Sequence, residues 1–302
     1  MEVTNTPSPQ EQSTTPADEL ELNWSRDDIE RRLGFEGGRF TQSGNTLPLI
    51  LGFTVTVLVF AALTYVRAMP TVVGKYPMIE TIAGKFLDRG SVQYAIIFLF
   101  LWGWFLLWIK KRKLAFQSRA LDLAALPQNP EFILDPRSAK SVLNRIHSLV
   151  DRTSHFVLLN RIERALSILS NVGQISDVST VLNTQAKDDE EMFAASYNVV
   201  RGFVWAIPVL GFIGTVLGLG VALGSFGAAV QNSADVSALK DSLAKVTSGL
   251  ETAFDTTLFG LVTALILQMD ITFLQQKEFK FLDACNDYCH GNVISKLRLK
   301  QD

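Results

Sequence analysis

Two cysteines and three histidines in 302 residues are too few for a disulfide scaffold. Cys285 and Cys289 would share a helix face with His290 beside them, but nearby ligands for a metal site are lacking. Two ordinary reduced thiols, no metal and no cofactor are the expectation. Charge of one sign is also missing: 28 basic residues stand against 30 acidic ones, a formal balance of −2 that argues for neither nucleic acid nor a strongly acidic partner surface. Residues 1–21 contain no basic n-region and no apolar h-region, so no cleavable signal peptide is expected there. Their Thr, Ser, Pro, Gln and Glu composition predicts a solvated, disordered tail. There is no nucleophile–base arrangement and no phosphate-binding glycine loop ahead of a soluble helix, so an enzyme is not expected. Internal repeats are lacking, which argues against the usual secondary transporters.

What the chain has in excess is apolar residues, 48% of the total, gathered into four blocks with polar stretches between them. A hydrocarbon core of roughly 30 Å needs about 20 helical residues, because backbone groups in lipid must bond within their own segment. Residues 47–66, 92–109, 202–226 and 252–273 meet that length. The first two are plainly apolar, the second carrying Trp102, Trp104 and Trp108 near its end. The third is full of glycine, and the fourth is interrupted by Asp255, Gln268 and Asp270. The expected fold is all-α: a polytopic membrane protein with four transmembrane helices, the third and fourth extending into a cytoplasmic helical region.

Basic residues are retained on the cytoplasmic side. Lys110, Lys111, Arg112 and Lys113 follow the second span, and Arg26, Arg31, Arg32 and Arg39 precede the first. Both flanks are therefore expected inside, together with the C-terminal basic residues Lys277, Lys280, Lys296, Arg298 and Lys300. Five regions follow: a largely disordered cytoplasmic segment with a short helix (1–46), two spans and their outer loop (47–109), a cytoplasmic helical region (110–199), two further spans (200–274) and a cytoplasmic C-terminal helix (275–302). Ser25 and Asp28 predict a capping box for the short helix, which should end near Gly34. Between Pro127, Pro130 and Pro136 and Gly173, apolar residues from Val142 to Leu169 recur mainly every three or four positions, predicting an amphipathic hairpin or bundle. Asp188, Asp189, Glu190 and Glu191 resemble an acidic first turn opening one long helix into the third span. The fourth span meets no breaker before Gly291 and should project well beyond the membrane.

In the third span, Gly211, Gly214, Thr215, Gly218, Ala222 and Ser225 fall along one side at helical spacing, a strip that another helix can approach closely. Pro208 removes one intrahelical hydrogen bond and is expected to bend the helix near its entry. The fourth span offers a complementary strip of Ala253, Thr256 or Thr257, Gly260, and Thr263 or Ala264. Both strips read equally as helix–helix glue. Thr215 and Thr257 have two readings: a threonine can satisfy itself on its own backbone, or hydroxyls on two packed helices can line a narrow wet path without burying a permanent charge. Asp255, about one turn into the fourth span, is either an interfacial carboxylate reaching headgroup water or a neighbouring subunit, or a functional group.

The order Pro208-x-x-Gly211-x-x-Gly214-Thr215-Val216 with Gly218, then Ala253-Phe254-Asp255-Thr256-Thr257-Leu258-Phe259-Gly260-Leu261, resembles the paired signature helices of the MotA/TolQ/ExbB proton-channel family over residues 200–274. The wording of the motifs is closer to the TolQ/ExbB branch, while the four-span layout resembles the flagellar stator subunit. In the TolQ and ExbB branches a glutamate often lies five residues before the second threonine; here Thr252 holds that place, with Glu251 displaced by one. Ile266 replaces the proline that commonly follows. The resemblance implies that Thr215 and Thr257 line the pore and that Pro208, Gly211, Gly214, Gly218 and Gly260 shape the packing; Thr256 and Asp255, by their place in the fourth span, are further ion-path candidates. It also implies a bacterial inner-membrane homopentamer around a pair of single-span partner helices resembling ExbD, TolR or MotB, whose aspartate titrates. The function implied is a channel-forming subunit that couples proton or sodium flow to mechanical work. The alternative is a structural membrane scaffold that oligomerises without conducting ions.

Overall fold

An apolar stretch with no water to bond its backbone becomes a helix, and helix is what the chain forms almost throughout. The computed structural model describes residues 22–69, 84, 86–87, 90–123, 125–126, 132–171, 175–231 and 236–297. Within them, α1 (Trp24–Asp27) and α2 (Ile29–Arg32) precede α3 (Thr46–Arg67) and α4 (Ser91–Ser118). Then follow α5 (Pro136–Leu149), α6 (Val157–Asn171), α7 (Ile175–Ala195), α8 (Asn198–Gln231) and α9 (Val236–Asn292). Among the described residues there is no strand, only isolated bridges of Leu22 with Val150 and Leu134 with Leu297. Four helices are long and apolar enough to cross a membrane, and α3, α4, α8 and α9 contain the four windows read from the sequence. The chain is thus an all-α polytopic membrane protein. At a rise of about 1.5 Å per residue, the 57 residues of α9 extend about 85 Å, far more than a bilayer core needs.

The membrane part is built around α8 and α9, which pack along most of their shared length, with α4 laid against both. α3 leans on α4: a methyl group on Gly52 would lie 3.0 Å from the Trp102 backbone, so the two helices touch nearly backbone to backbone there. Phe53, Val57, Leu58 and Tyr65 of α3 stay exposed, as a helix facing lipid requires.

Beyond the spans the same buried cluster continues among the other helices. Val142 and Ile146 of α5 meet Leu158, Ile162, Leu166 and Leu169 of α6, joined by Leu182 of α7 and by Leu282, Cys285 and Cys289 of α9. Asp135 caps α5 with a capping box to Ser138, and Pro136 takes the first helical position. Arg161 is buried and donates from Nε to Asp189 Oδ2 at 2.7 Å. The Gln117 amide at the end of α4 donates to the His155 carbonyl at 2.6 Å and accepts the Val157 N–H at 3.1 Å, fastening the second span to the start of α6.

Three local expectations are corrected. The acidic run Asp188–Glu191 does not open a helix: α7 begins at Ile175, and Asp189 is drawn inward by Arg161. Nor does the helix run into the third span without interruption: its hydrogen-bond pattern is broken for two residues, Ser196 and Tyr197, between α7 and α8. The Ser196 hydroxyl bonds the Phe193 carbonyl, and the Tyr197 N–H reaches only three residues back, to Ala194. The capping box of Ser25 with Asp28 is likewise not formed. Asn23 caps α1 by accepting the Arg26 N–H at 3.0 Å, while the Ser25 hydroxyl donates to Asp151 at 2.8 Å. Gly34, with φ of 79°, takes the left-handed conformation just after α2, where the short helix was expected to end. Residues 1–21, most of the 67–91 connection, Pro127, Pro130, Gly173, Arg298 and Lys300 lie outside the described residues, as does the Ser225 side chain.

Candidate functional site

Glycine in a membrane helix removes the side chain that would hold a neighbour away. A methyl group on Gly211 would lie 3.1 Å from the Thr256 carbonyl oxygen and 3.2 Å from Thr257 Cα; one on Gly260 would lie 3.1 Å from the Ile207 carbonyl. On Gly214 it would meet Thr256 Oγ1 at 2.6 Å, and on Gly218 the Gly249 carbonyl at 2.7 Å. These contacts bring α8 and α9 together along a seam that Pro208 enters one residue after the buried Ile207. Gly249 belongs to the same seam, since a methyl there would lie 2.7 Å from the Gly218 carbonyl. Sequence reading missed it, although it stands one helical turn before Ala253 and extends the same period.

The close approach puts Thr215 and Thr257 face to face. Their hydroxyls are hydrogen-bonded to one another. Each also lies 3.2 Å from two carbonyl oxygens, those of Gly211 and Ala253. Every hydroxyl therefore has one acceptor on its own helix, four residues back, and one on the other helix at equal distance. Two protons are shared among two hydroxyls and two carbonyls, and their directions can reverse by O–H rotation with no heavy atom moving. No charge is buried by this arrangement. Both threonines are half-buried, with the exposed Phe212 and Leu219 of α8 and Phe254 and Leu261 of α9 a turn away on either side.

Thr256 occupies the other edge of the seam. It is fully buried against Gly214, and its hydroxyl donates to the carbonyls of Thr252 and Ala253 at 3.1 Å. A cavity of about 380 Å³ opens on that edge, where Gly214 and Gly218 meet Thr252, Ser248 and Lys245 of α9 and Ser91 at the start of α4. Asp255 is 8% exposed. Two residues apart on a helix, it and Thr257 point about 200° from each other. The structure therefore does not bring Asp255 to the threonine pair. Phe259, one turn on from Asp255, packs against Phe86 with ring centroids 4.9 Å apart.

Sequence reasoning also missed a buried ionic junction where the spans meet the soluble part. Lys110 at the end of the second span pairs with Glu278 of α9 and lies 3.1 Å from the Thr41 hydroxyl. Thr41 and Tyr197 donate to the two carboxylate oxygens of Glu278 at 2.8 and 2.7 Å. One turn further, Lys113 pairs with Glu30, stands 3.6 Å from Asp28, and donates to the Gln42 carbonyl at 2.9 Å. Basic residues after a span read as topology markers, and nothing in their spacing singles out the two that turn inward. Among the described residues no group of three or more His, Cys, Asp and Glu is placed to hold a metal ion.

Residues 155–285, less than half of the chain, match the model of the MotA/TolQ/ExbB proton channel family. The match spans α6 to the middle of the soluble end of α9 and so contains the whole α8/α9 seam. No curated protein and no solved structure matches the chain.

Proposed function

Through residues 155–285 the chain belongs to the MotA/TolQ/ExbB proton channel family, whose members act as ion channels in motor-like complexes, and from that premise we propose that it is the channel-forming subunit of an ion-driven motor in the bacterial inner membrane. In this reading both termini are cytoplasmic, and five copies surround a pair of single-span helices from a partner resembling ExbD, TolR or MotB. The partner supplies an aspartate, and Thr215 and Thr257 supply hydroxyls that follow its charge. When the aspartate is ionised they donate to it or to water; when it is protonated they accept from it or return to their carbonyls.

The single observation that carries this reading is the Thr215–Thr257 pair, with two carbonyl acceptors at equal reach and an uncovered flank. A hydroxyl needed only for its own helix would have no use for an acceptor on the neighbouring one. Phe212, Leu219, Phe254 and Leu261 on that flank suit contact with an apolar guest helix or a second copy. A protonation cycle alternates the aspartate between charged and neutral forms, and so between wet and dry preferences. Each proton moving down a potential of about 100 mV releases about 2.3 kcal/mol, enough to bias rotation of one ring against the other.

The test is ion flux through the complex reconstituted with its partner. Thr257→Val removes the hydroxyl and keeps the shape, so flux and coupled work should both fall at least tenfold. Thr257→Ser should retain most of both. A purely structural scaffold predicts no difference between the two variants, and intact flux in Thr257→Val would defeat the channel role.

A further inference from the structure

α4 leaves its apolar stretch at Ile109 and continues as helix to Ser118. At about 1.5 Å per residue, Arg112 stands about 5 Å and Arg119 about 15 Å beyond that point. The headgroup layer on each face of a bilayer is roughly 5–8 Å thick, so these arginines bracket its aqueous edge. A cavity of about 470 Å³ opens against them and is closed on its other side by Arg26 and Arg32 of the α1–α2 segment. All four arginines are exposed.

Among the described residues, the acids in the wall are Asp27 and Asp28. Asp27 is matched by Arg26 at 3.3 Å. Burial pushes the Asp28 carboxyl above its ordinary range, with Lys113 opposing and Glu30 adding to the effect, so its negative charge is disfavoured. Lys113 itself is committed inward, to Glu30 and the Gln42 carbonyl. Among the described residues no carboxylate lies within ion-pair distance of Arg32, Arg112 or Arg119. The cavity also has an apolar wall, Ile29 and Phe116, and the Arg112 guanidinium sits 5.4 Å over the Trp108 ring, at the level where tryptophan favours the membrane interface.

We propose that the cavity between the α1–α2 segment and the end of α4 binds the phosphate group of an anionic lipid headgroup. Arginine forks suit a phosphodiester, and the position at the end of a span, beside apolar side chains, selects a lipid over a soluble phosphate. The bound headgroup ties the N-terminal segment to the membrane surface. The inference requires only that α4 crosses a membrane, not that ions pass through α8 and α9.

The full-length protein in nanodiscs of phosphatidylcholine, with and without phosphatidylglycerol, tests this by hydrogen exchange of residues 24–34. Phosphatidylglycerol should slow their exchange. Arg112→Gln with Arg119→Gln should raise the fraction of phosphatidylglycerol needed for half the protection about 25-fold, at about fivefold per basic residue. Arg26→Gln with Arg32→Gln, from the opposite wall, should do the same, and decides the matter if the α4 pair fails to fold. Protection that is unchanged in a folded double variant would overturn the site. Protection by inorganic phosphate or pyrophosphate in pure phosphatidylcholine discs, with none from phosphatidylglycerol, would overturn the lipid as its occupant.

Discussion

At the scale of single residues, the seam between α8 and α9 separates glycines that matter for contact from glycines that do not. Gly218 faces the Gly249 carbonyl, where an added methyl would lie 2.7 Å away, and backbone on both sides leaves nothing to give. Gly218→Ala should therefore destabilise the helix pair by about 1–3 kcal/mol, as overpacking does. Gly220 has nothing within 4 Å of its added methyl, so Gly220→Ala should be neutral or stabilise by up to about 1 kcal/mol through helix propensity. Thermal unfolding of the two variants in the same detergent checks the contrast, and equal melting temperatures would mean that the two helices do not meet as described. Both glycines are equally visible in the sequence. Only Gly218 falls in the periodic strip, so here the spacing of small residues was legible evidence of which face is packed.

Helices and their joints raise a different question, because the spans are held to the soluble part by buried charge. Lys110, Glu278, Thr41 and Tyr197 come from α4, α9, the segment before α3 and the turn before α8. Removing one partner leaves the other charge buried and uncompensated, which typically costs about 3–5 kcal/mol. Lys110→Met should thus destabilise far more than Lys111→Met, whose side chain is exposed. Lys110→Met combined with Glu278→Gln should recover part of the loss, which a double-mutant cycle on unfolding would measure. The α1 helix is held by a carboxylate instead. Burial disfavours the Asp151 charge, but the Ser25 hydroxyl and the N–H groups of Trp24 and Ser25 outweigh it and hold the carboxyl below its ordinary value of 3.8. A depressed carboxyl stabilises the fold fully above its unfolded value and loses that contribution as pH falls from there through the folded value. The stability advantage of the wild type over Asp151→Ala should therefore be constant at neutral pH and shrink only below about pH 4.

At the scale of the whole molecule, α8 and α9 expose large apolar side chains on faces that α4 does not cover, among them Trp205, Val221, Leu258 and Leu265. Lipid, further copies and a partner helix can each cover such faces, and the proposed ring uses all three. The orientation is open to a direct check. With both thiols buried in α9, Cys285 and Cys289 should resist maleimide in the folded protein. A cysteine placed at the exposed Asp287 or Ser295 should label only from the cytoplasmic side of sealed membranes. Labelling from the outer side would reverse the topology.

The sequence by itself determined the four spans and the small-residue strips, because hydrocarbon leaves the backbone one solution and helical periodicity then places each side chain on a known face; that Thr215 and Thr257 bond to one another was decided by the packed helices. It could not determine that Lys110 and Lys113 turn inward while Lys111 and Arg112 stay out, that Asp189 is claimed by Arg161, or that Asp255 faces away from Thr257's hydrogen bonds. Those outcomes depend on partners distant in the chain, Glu278 and Glu30 among them. A charge or a hydroxyl carries no period that announces its partner, so only the packed tertiary structure decides which of them are buried.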